Sequence, residues 1–299
     1  MRISFICNYI YLNGGWSPWD KRIGGSEEFI VEVSKRLVKL GHEVTVFHNG
    51  QHGVYEGVEY RSHDDFTAGD ITININFPEF KCDGKQVFWT SLDKHPNLSH
   101  FEAVCYISEY QRNNCGIEHK NLFWVPPGYD ETKIYPGTKI PKQCLYASSP
   151  DRGLETLLRA WPKVHESHPD ATLIVTYGAQ EYDLPNVTFI DATNEEMDEL
   201  YRTSDIWCHP ANGGELYCIT GVKAQAAQCV PVIIPVMALH ETVKHGFFST
   251  GGINNYIKFL NYALSGAKET ERGEMSKEHY PTWDTSTDRL MEIINSVIV

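Results

Sequence analysis

Residues 204–232 read SDIWCHPANGGELYCITGVKAQAAQCVPV, and this stretch decides the fold. A short apolar run, Ile206 to His209, leads into a glycine-rich segment with a single acid, Glu215. An alanine-rich helical pattern then begins near Cys218. A strand, a glycine-rich loop and a helix in this order commonly bind anions, because the free amide groups at a helix N-terminus point towards the ligand. The stretch therefore predicts an α/β fold with an anion site beside a strand end.

The same stretch resembles the nucleotide-sugar site of retaining GT-B glycosyltransferases, above all those of family 4, which carry two glutamates separated by seven residues. Here Glu215 holds the first position and Lys223 the second. The resemblance implies that Glu215 contacts hydroxyl groups of the donor sugar. It also implies that Cys218, Ile219 and Thr220 offer backbone amides to the diphosphate. The second glutamate of the family contacts the ribose; Lys223 is either a phosphate or ribose ligand or a lysine on the helix surface.

Other landmarks of the resembled family follow in its order along nearly the whole chain. They are Gly24-Gly25-Ser26-Glu27, Gly41-His42-Glu43-Val44-Thr45, Val125-Pro126-Pro127-Gly128-Tyr129-Asp130, the segment 146–158, Glu215 and Pro231-Val232. The ordered set is specific. The chain is shorter than typical members, mainly in its first half.

The first half of the chain alternates between strand and helix patterns. Phe29, Val33 and Leu37 recur at helical spacing, which predicts a helix from Ser26 to Leu40 with Ser26 as its N-cap. Short apolar runs predict the strands of a parallel sheet with both faces covered, at residues 3–7, 44–47, 71–75, 86–90, 104–108 and 122–126.

Clustered prolines predict a linker near residues 128–142, after which a second alternating series begins. It comprises predicted strands at 144–147, 172–177, 187–190 and 206–209 and predicted helices at 152–165 and 195–202. In such a doubly wound series, ligands bind at the carboxyl ends of the strands. An amphipathic pattern over residues 284–298 predicts a final helix.

The fold class expected from these patterns and the resemblance is α/β with GT-B architecture: two Rossmann-like, doubly wound domains with an interdomain cleft. The first, residues 1–138, is the expected acceptor domain. The second, residues 139–281, is the expected donor domain. The resemblance implies that the last helix, residues 282–299, returns to the first domain.

Two further segments suit phosphate chemistry. Gly24, Gly25 and Ser26 stand at the start of a predicted helix, where a diphosphate meets free amides and no Cβ; the alternative is an ordinary turn. The family often has two cations facing the diphosphate near residue 150, and this chain keeps one, Arg152, with Ala147 at the other position. A guanidinium suits a leaving diphosphate because it stays charged and forks onto phosphate oxygens.

The general base is harder to assign from sequence. Asp93 and His95 lie at the end of a predicted strand in the first half and are the candidates for accepting the acceptor proton. The alternative for each is an ordinary loop residue. Retaining GT-B enzymes are thought to react by front-side substitution with the leaving phosphate as base, so a protein base is dispensable.

Charge, cysteine spacing and hydropathy argue against several classes of function. The formal charge of −13 argues against nucleic-acid binding, since such binding needs clustered lysine and arginine. The eight cysteines have no zinc-site spacing, so we expect reduced thiols, a cytoplasmic protein, no metal and no cofactor beyond the nucleoside-diphosphate sugar substrate. No apolar run reaches the ~20 residues of a membrane span, which leaves peripheral membrane contact open.

The sequence thus predicts a metal-independent, hexosyltransferase-like enzyme. It would move a sugar, with retention, from a nucleoside-diphosphate sugar to a hydroxyl of a glycan, lipid or small molecule. One alternative is a glycosyltransferase acting on modified nucleic acid. The other is a sugar-nucleotide binding protein with impaired catalysis, which Lys223 and Ala147 both favour.

Overall fold

A computed structural model describes residues 1–7, 15–177 and 183–298 of the chain. The chain forms two compact units. The first comprises Met1–Gly128 with Pro281–Val299, and the second comprises Tyr129–Tyr280. Each unit is built on one sheet flanked by helices.

The first unit is organised around an eight-stranded sheet in the order β3-β4-β2-β1-β5-β6-β7-β8. Its strands are Arg2–Cys7 (β1), Glu43–His48 (β2), Gly53–Tyr55 (β3), Val58–Ser62 (β4), Ile71–Ile75 (β5), Gln86–Trp89 (β6), Ala103–Tyr106 (β7) and Leu122–Trp124 (β8). Its helices are Gly25–Lys39 (α1), Glu109–Asn114 (α2) and the C-terminal helix Trp283–Ile298. All pairings are parallel except that between β3 and β4, an unpredicted edge hairpin.

Buried strands explain why this sheet was predictable. Every residue of β5, β6 and β7 is buried, as expected for parallel strands covered on both faces. Phe29 of α1 stacks on Trp89 of β6 with ring centroids 4.1 Å apart. The core of this unit therefore includes the layer of side chains between the sheet and α1.

The start of α1 corrects one sequence-based assignment. The N-cap is Gly24, and no side chain caps the helix, so the prediction that Ser26 is the N-cap is wrong. Ser26 lies in the first turn. Its hydroxyl shares a hydrogen bond of 2.9 Å with Ser91 and accepts one from the side-chain amide of Asn76. These tertiary partners hold the hydroxyl away from the helix amides that it was expected to cap.

The second unit has a six-stranded, wholly parallel sheet in the order β11-β10-β9-β12-β13-β14. Its strands are Ile140–Tyr146 (β9), Thr172–Val175 (β10), Val187–Phe189 (β11), Ser204–His209 (β12), Val230–Ile233 (β13) and Phe247–Phe248 (β14). Its helices are Leu154–Ser167 (α3), Asn194–Thr203 (α4), Ile219–Ala226 (α5), Leu239–Thr242 (α6), Gly252–Tyr262 (α7) and Lys268–Met275 (α8). The terminal helix is accordingly α9.

The C-terminal helix α9 belongs to the first unit, as predicted. Trp283 is fully buried and meets Phe29 edge to face, with centroids 6.3 Å apart. Asp284 forms an ion pair with Arg36 of α1, and the hydroxyl of Ser286 donates a 2.6 Å hydrogen bond to the carbonyl of Pro126. Apolar packing and polar contacts thus both fix α9 to α1.

The order of the second sheet determines where a ligand fits. The chain enters at β9, adds β10 on one side and later returns to add β12 on the other. Such a switch in strand order leaves a crevice outside the carboxyl ends of the two neighbouring strands, where α/β proteins bind ligands. Within the described part of the chain, no helix has the length and apolar character needed to cross a membrane.

Candidate functional site

The candidate site lies where β9 and β12 end side by side in the second unit. After β9, the chain forms a single 3-10 turn, Pro150–Arg152, before α3 begins. After β12, a glycine-rich loop leads to α5. The sequence predicted a helix that begins at Arg152. In the structure Arg152 instead lies just before the helix α3.

The guanidinium of Arg152 reaches across to the second loop. Its Nη1 donates a 3.0 Å hydrogen bond to the carbonyl of Gly213, and its Nε lies 3.7 Å from Asp151. About 31% of the arginine side chain stays exposed, so the cation remains accessible to a ligand.

Two glycines allow this close approach. A Cβ at Gly214, where φ is +75°, would lie 1.3 Å from Nη1 of Arg152. A Cβ at Gly153, where φ is +106°, would lie 2.1 Å from the carbonyl oxygen of Pro210. Glycine is required at Gly153 because the facing atoms belong to backbone, whereas at Gly214 it avoids the strain of positive φ and leaves room for the guanidinium.

Glu215 is buried and held by a histidine that sequence reasoning did not select. Its Oε1 lies 3.1 Å from Nε2 of His209, the last residue of β12. His209 is fully buried and stacks on Trp207 with centroids 4.8 Å apart. Because Nε2 faces a carboxylate, we assign the proton to that nitrogen. The sequence did contain a signal for His209: this histidine ends an apolar strand shortly before the only acid of the following loop.

The N-terminus of α5 completes the site. Cys218 is its N-cap and has a left-handed backbone with φ of +70°. The carbonyl of Cys218 accepts from the amides of Gly221 and Val222, so the amides of Ile219 and Thr220 precede the helical ladder. The Thr220 hydroxyl donates a 3.3 Å hydrogen bond to the carbonyl of Ala147 and so joins the two strand ends.

The same corner gathers three side chains of metal-ligating type. One ligand atom each from His209, Glu215 and Cys218 lie within 4.8 Å of one another. Burial, reinforced by the Glu215 carboxylate, raises the pKa of the Cys218 thiol well above its ordinary value. The sequence, which has no zinc-like cysteine spacing, gave no indication of this cluster. Lys223 lies further along α5 and is partly exposed.

In the first unit, a carboxylate of the chain itself occupies the neighbourhood of Gly24. A Cβ at Gly24 would lie 2.4 Å from Oε2 of Glu27. Burial raises the pKa of Glu27, and a hydrogen bond from its own backbone amide partly offsets that effect. Gly24, Gly25 and Ser26 thus stand at a helix N-terminus that already holds an acid.

The two candidate bases, Asp93 and His95, lie in different environments. His95 uses both ring nitrogens: Nδ1 lies 3.0 Å from the carbonyl of Cys115, to which it donates, and Nε2 lies 3.0 Å from the Thr90 hydroxyl. Burial lowers the pKa of His95, so the ring is neutral at physiological pH. Asp93 is exposed to solvent.

Comparison with known proteins bears on this site directly. Residues 142–258 match the model of the family described as Glycosyl transferases group 1, a range that contains Arg152, Glu215 and all of α5. The matched range lies within the second unit. A mannosylfructose-phosphate synthase of Agrobacterium fabrum is 18% identical over 273 residues, which cover 80% of this chain and 56% of that protein. The chain thus spans little more than half the length of that curated relative.

Solved structures show that the whole chain has the GT-B fold. A glycosyltransferase from Rickettsia africae ESF-5 superposes with a TM-score of 0.76 at 13% identity, covering 99% of this chain and 98% of that one. WaaG, a glycosyltransferase involved in lipopolysaccharide biosynthesis, gives 0.71 at 13% identity, with 98% and 99% covered. Anabaena Alr3699/HepE, in complex with UDP and glucose, gives 0.70 at 15% identity, with 99% and 100% covered.

Proposed function

We propose that this chain is a retaining glycosyltransferase that moves a hexose from a nucleoside-diphosphate sugar to an acceptor hydroxyl. The observation that carries the proposal is the convergence of Arg152, Glu215 and the N-terminus of α5 at the carboxyl ends of two adjacent parallel strands. The similar HepE protein was crystallised with UDP-glucose, which makes UDP the first nucleotide to test.

Arg152 and α5 supply positive charge to the diphosphate. As the glycosidic bond breaks, negative charge grows on the leaving phosphate oxygens. The accessible guanidinium donates charge-assisted hydrogen bonds to these oxygens, and the amides of Ile219 and Thr220 add the partial positive charge of a helix N-terminus. We propose that these groups take the place of a metal ion in stabilising the leaving group.

Glu215 orients the sugar. A carboxylate accepts hydrogen bonds from hydroxyl groups, and the Nε2–H of His209 leaves the second carboxylate oxygen for that purpose. Because His209 is fully buried against Trp207, it fixes the carboxylate in one rotamer. His209 is thus a positioning residue for Glu215.

We propose that the leaving diphosphate accepts the acceptor proton. His95 commits both ring nitrogens to other groups, and Asp93 is exposed to solvent. Transfer with retention is then a front-side substitution in which Arg152 stabilises the same phosphate that takes the proton. On this proposal, Asp93→Asn lowers the transfer rate by less than about tenfold, whereas loss of a general base costs ~10²-fold or more.

Binding in the presence of EDTA tests the donor site. UDP at a hundred times its dissociation constant should stabilise the protein by ~2.7 kcal/mol, measured as a rise in melting temperature. Arg152→Ala should weaken UDP binding, while Arg159→Ala, which removes an exposed arginine of α3, serves as the matched control. If no nucleoside diphosphate in a panel of bases raises the melting temperature, the proposed donor site is wrong.

Sugar handling distinguishes transfer from mere binding. Glu215→Gln should weaken UDP-glucose binding more than UDP binding, because only the sugar contacts the carboxylate. Equal weakening of both ligands would remove Glu215 from the sugar. The second candidate function, a binding protein without turnover, is favoured by Ala147 in place of a cation. It predicts UDP-glucose binding with neither transfer nor hydrolysis over a panel of acceptors.

A further inference from the structure

The corner formed by His209, Glu215 and Cys218 has the composition of a metal site. Each residue presents one donor atom, and the three atoms lie within 4.8 Å of one another. Tetrahedral zinc, with bonds of roughly 2.0 to 2.3 Å, places its ligand atoms about 3.4 to 3.6 Å apart. The 3.1 Å separation between His209 Nε2 and Glu215 Oε1 is already at that scale. Side-chain rotation of about 1 Å is enough to close the remaining gap.

A second observation makes this more than a hydrogen-bonded cluster. His209 is fully buried, yet its Nδ1 has no hydrogen-bond partner within the part of the chain that the structure covers. Buried polar atoms are nearly always satisfied, so the unpartnered Nδ1 marks an incomplete arrangement. When a metal ion binds, the ring proton moves from Nε2 to Nδ1, and the lone pair of Nε2 then faces the carboxylate and the ion. Cys218 keeps some solvent exposure, which gives an ion a route to the site.

We propose that His209, Glu215 and Cys218 bind a single zinc ion whose fourth position is open to water or to a ligand. Thiolate and imidazole donors favour zinc over magnesium or calcium, which prefer oxygen. A thiolate, a carboxylate and a neutral imidazole also balance the charge of a divalent ion. As the Zn–S bond forms, the S–H bond of Cys218 breaks and one proton passes to the buffer.

Zinc at this position competes with the donor sugar. Glu215 is the proposed ligand of the sugar hydroxyls, and it cannot hold the same orientation while its oxygen ligates a metal. This consequence rests on the proposed function, whereas zinc binding itself does not. Zinc is therefore an inhibitor of transfer and not its cofactor.

Zinc affinity measured against a chromophoric chelator tests the site on the reduced, chelator-treated full chain. We expect one zinc per chain and about one proton released per zinc. His209→Gln and Cys218→Ser should each weaken binding by at least about 100-fold, since even residues that only support a ligand are worth 10- to 100-fold. Cys82→Ser is the matched control, because Cys82 is a partly exposed thiol in the first unit, away from the cluster.

Cobalt substitution identifies the sulfur. Cobalt bound to the intact protein should show a thiolate-to-metal charge-transfer band that disappears in Cys218→Ser, with the fold of the variant checked by its melting temperature in EDTA. No zinc binding, or an unchanged band in Cys218→Ser, overturns the proposal. UDP-glucose should lower the apparent zinc affinity; if zinc binds and UDP-glucose does not compete, the donor assignment of Glu215 fails while the zinc site stands.

Discussion

Replacing Gly214 by alanine tests whether the placement of the Arg152 guanidinium matters. The new Cβ would lie 1.3 Å from Nη1 and 2.4 Å from Cζ of the arginine. Ordinary contact between heavy atoms needs about 3.5 Å, so the guanidinium must retreat by about 2 Å. Because it is the far end of a flexible side chain, the arginine moves and the backbone stays. The variant therefore displaces the cation without deleting it.

The expected loss follows from the bond that the displaced guanidinium no longer makes. Hydrogen bonds to charged groups contribute ~1.5 to 3 kcal/mol, and ~1.4 kcal/mol corresponds to a tenfold change in affinity. UDP should therefore bind roughly 10- to 150-fold more weakly to Gly214→Ala. Placing a non-glycine residue at φ of +75° also costs stability, on the order of 1 kcal/mol, which lowers the melting temperature without UDP.

A double-mutant cycle separates displacement from backbone strain. UDP dissociation constants are measured calorimetrically for the parent protein, Gly214→Ala, Arg152→Ala and the double variant. Since both single changes remove the same interaction, Gly214→Ala should have little further effect once Arg152 is gone. Additive effects, with a coupling below about 0.5 kcal/mol, would refute the reasoning. Gly41→Ala in the first unit is the control, because Gly41 also has a positive φ, +87°, and its Cβ would have no neighbour within 4 Å; it shares the backbone strain and should leave UDP affinity unchanged.

Two further predictions concern stability. Asp205 is almost fully buried, with Oδ1 2.5 Å from Arg272 and Oδ2 3.4 Å from Lys268. Asp205→Asn should therefore lower the free energy of unfolding by ~3 to 5 kcal/mol in a denaturant titration. Asp170→Asn, which breaks an exposed ion pair, should change the free energy of unfolding little, and equal effects of the two variants would contradict the role of burial. Burial raises the pKa of Glu27, so the folded state holds the proton more tightly than the unfolded state does. The stability of the parent protein relative to Glu27→Gln should therefore fall as pH rises above about 4.5. A difference in stability between the two proteins that does not change with pH would show that this carboxyl is not desolvated.

Apolar runs made the two sheets predictable because parallel strands bury both faces. Ile71–Ile75 is buried at every position, and a run of this kind has no other stable place in a folded chain. The edge hairpin of Gly53–Tyr55 and Val58–Ser62 was missed because its turn, Glu56-Gly57, lacks the asparagine or aspartate that usually marks two residues with positive φ. Its first strand is also only three residues long and mostly exposed, so the hydrophobic pattern of that strand is weak.

Ser26 shows why local rules fail at a helix start. A serine next to two glycines satisfies the sequence rule for an N-cap. The outcome was decided by Ser91, 65 residues away, and by Asn76, whose side-chain amide donates to both hydroxyls. No sequence window around Ser26 contains those partners, so only tertiary structure shows that the helix begins one residue earlier, at Gly25.

The candidate site could likewise be predicted from the sequence only in part. The register of Arg152 and Glu215 with their strands follows from the sequence, since each comes shortly after an apolar run. The proximity of His209, Glu215 and Cys218 does not, because it depends on the backbone of Cys218, which adopts φ of +70° where a glycine would be less strained. That conformation starts α5 and sets the thiol beside the carboxylate. The backbone of Cys218 is thus strained by on the order of 1 to 3 kcal/mol, in the conformation that places its sulfur beside a histidine and an acid. Backbone strain of this kind is characteristic of binding sites.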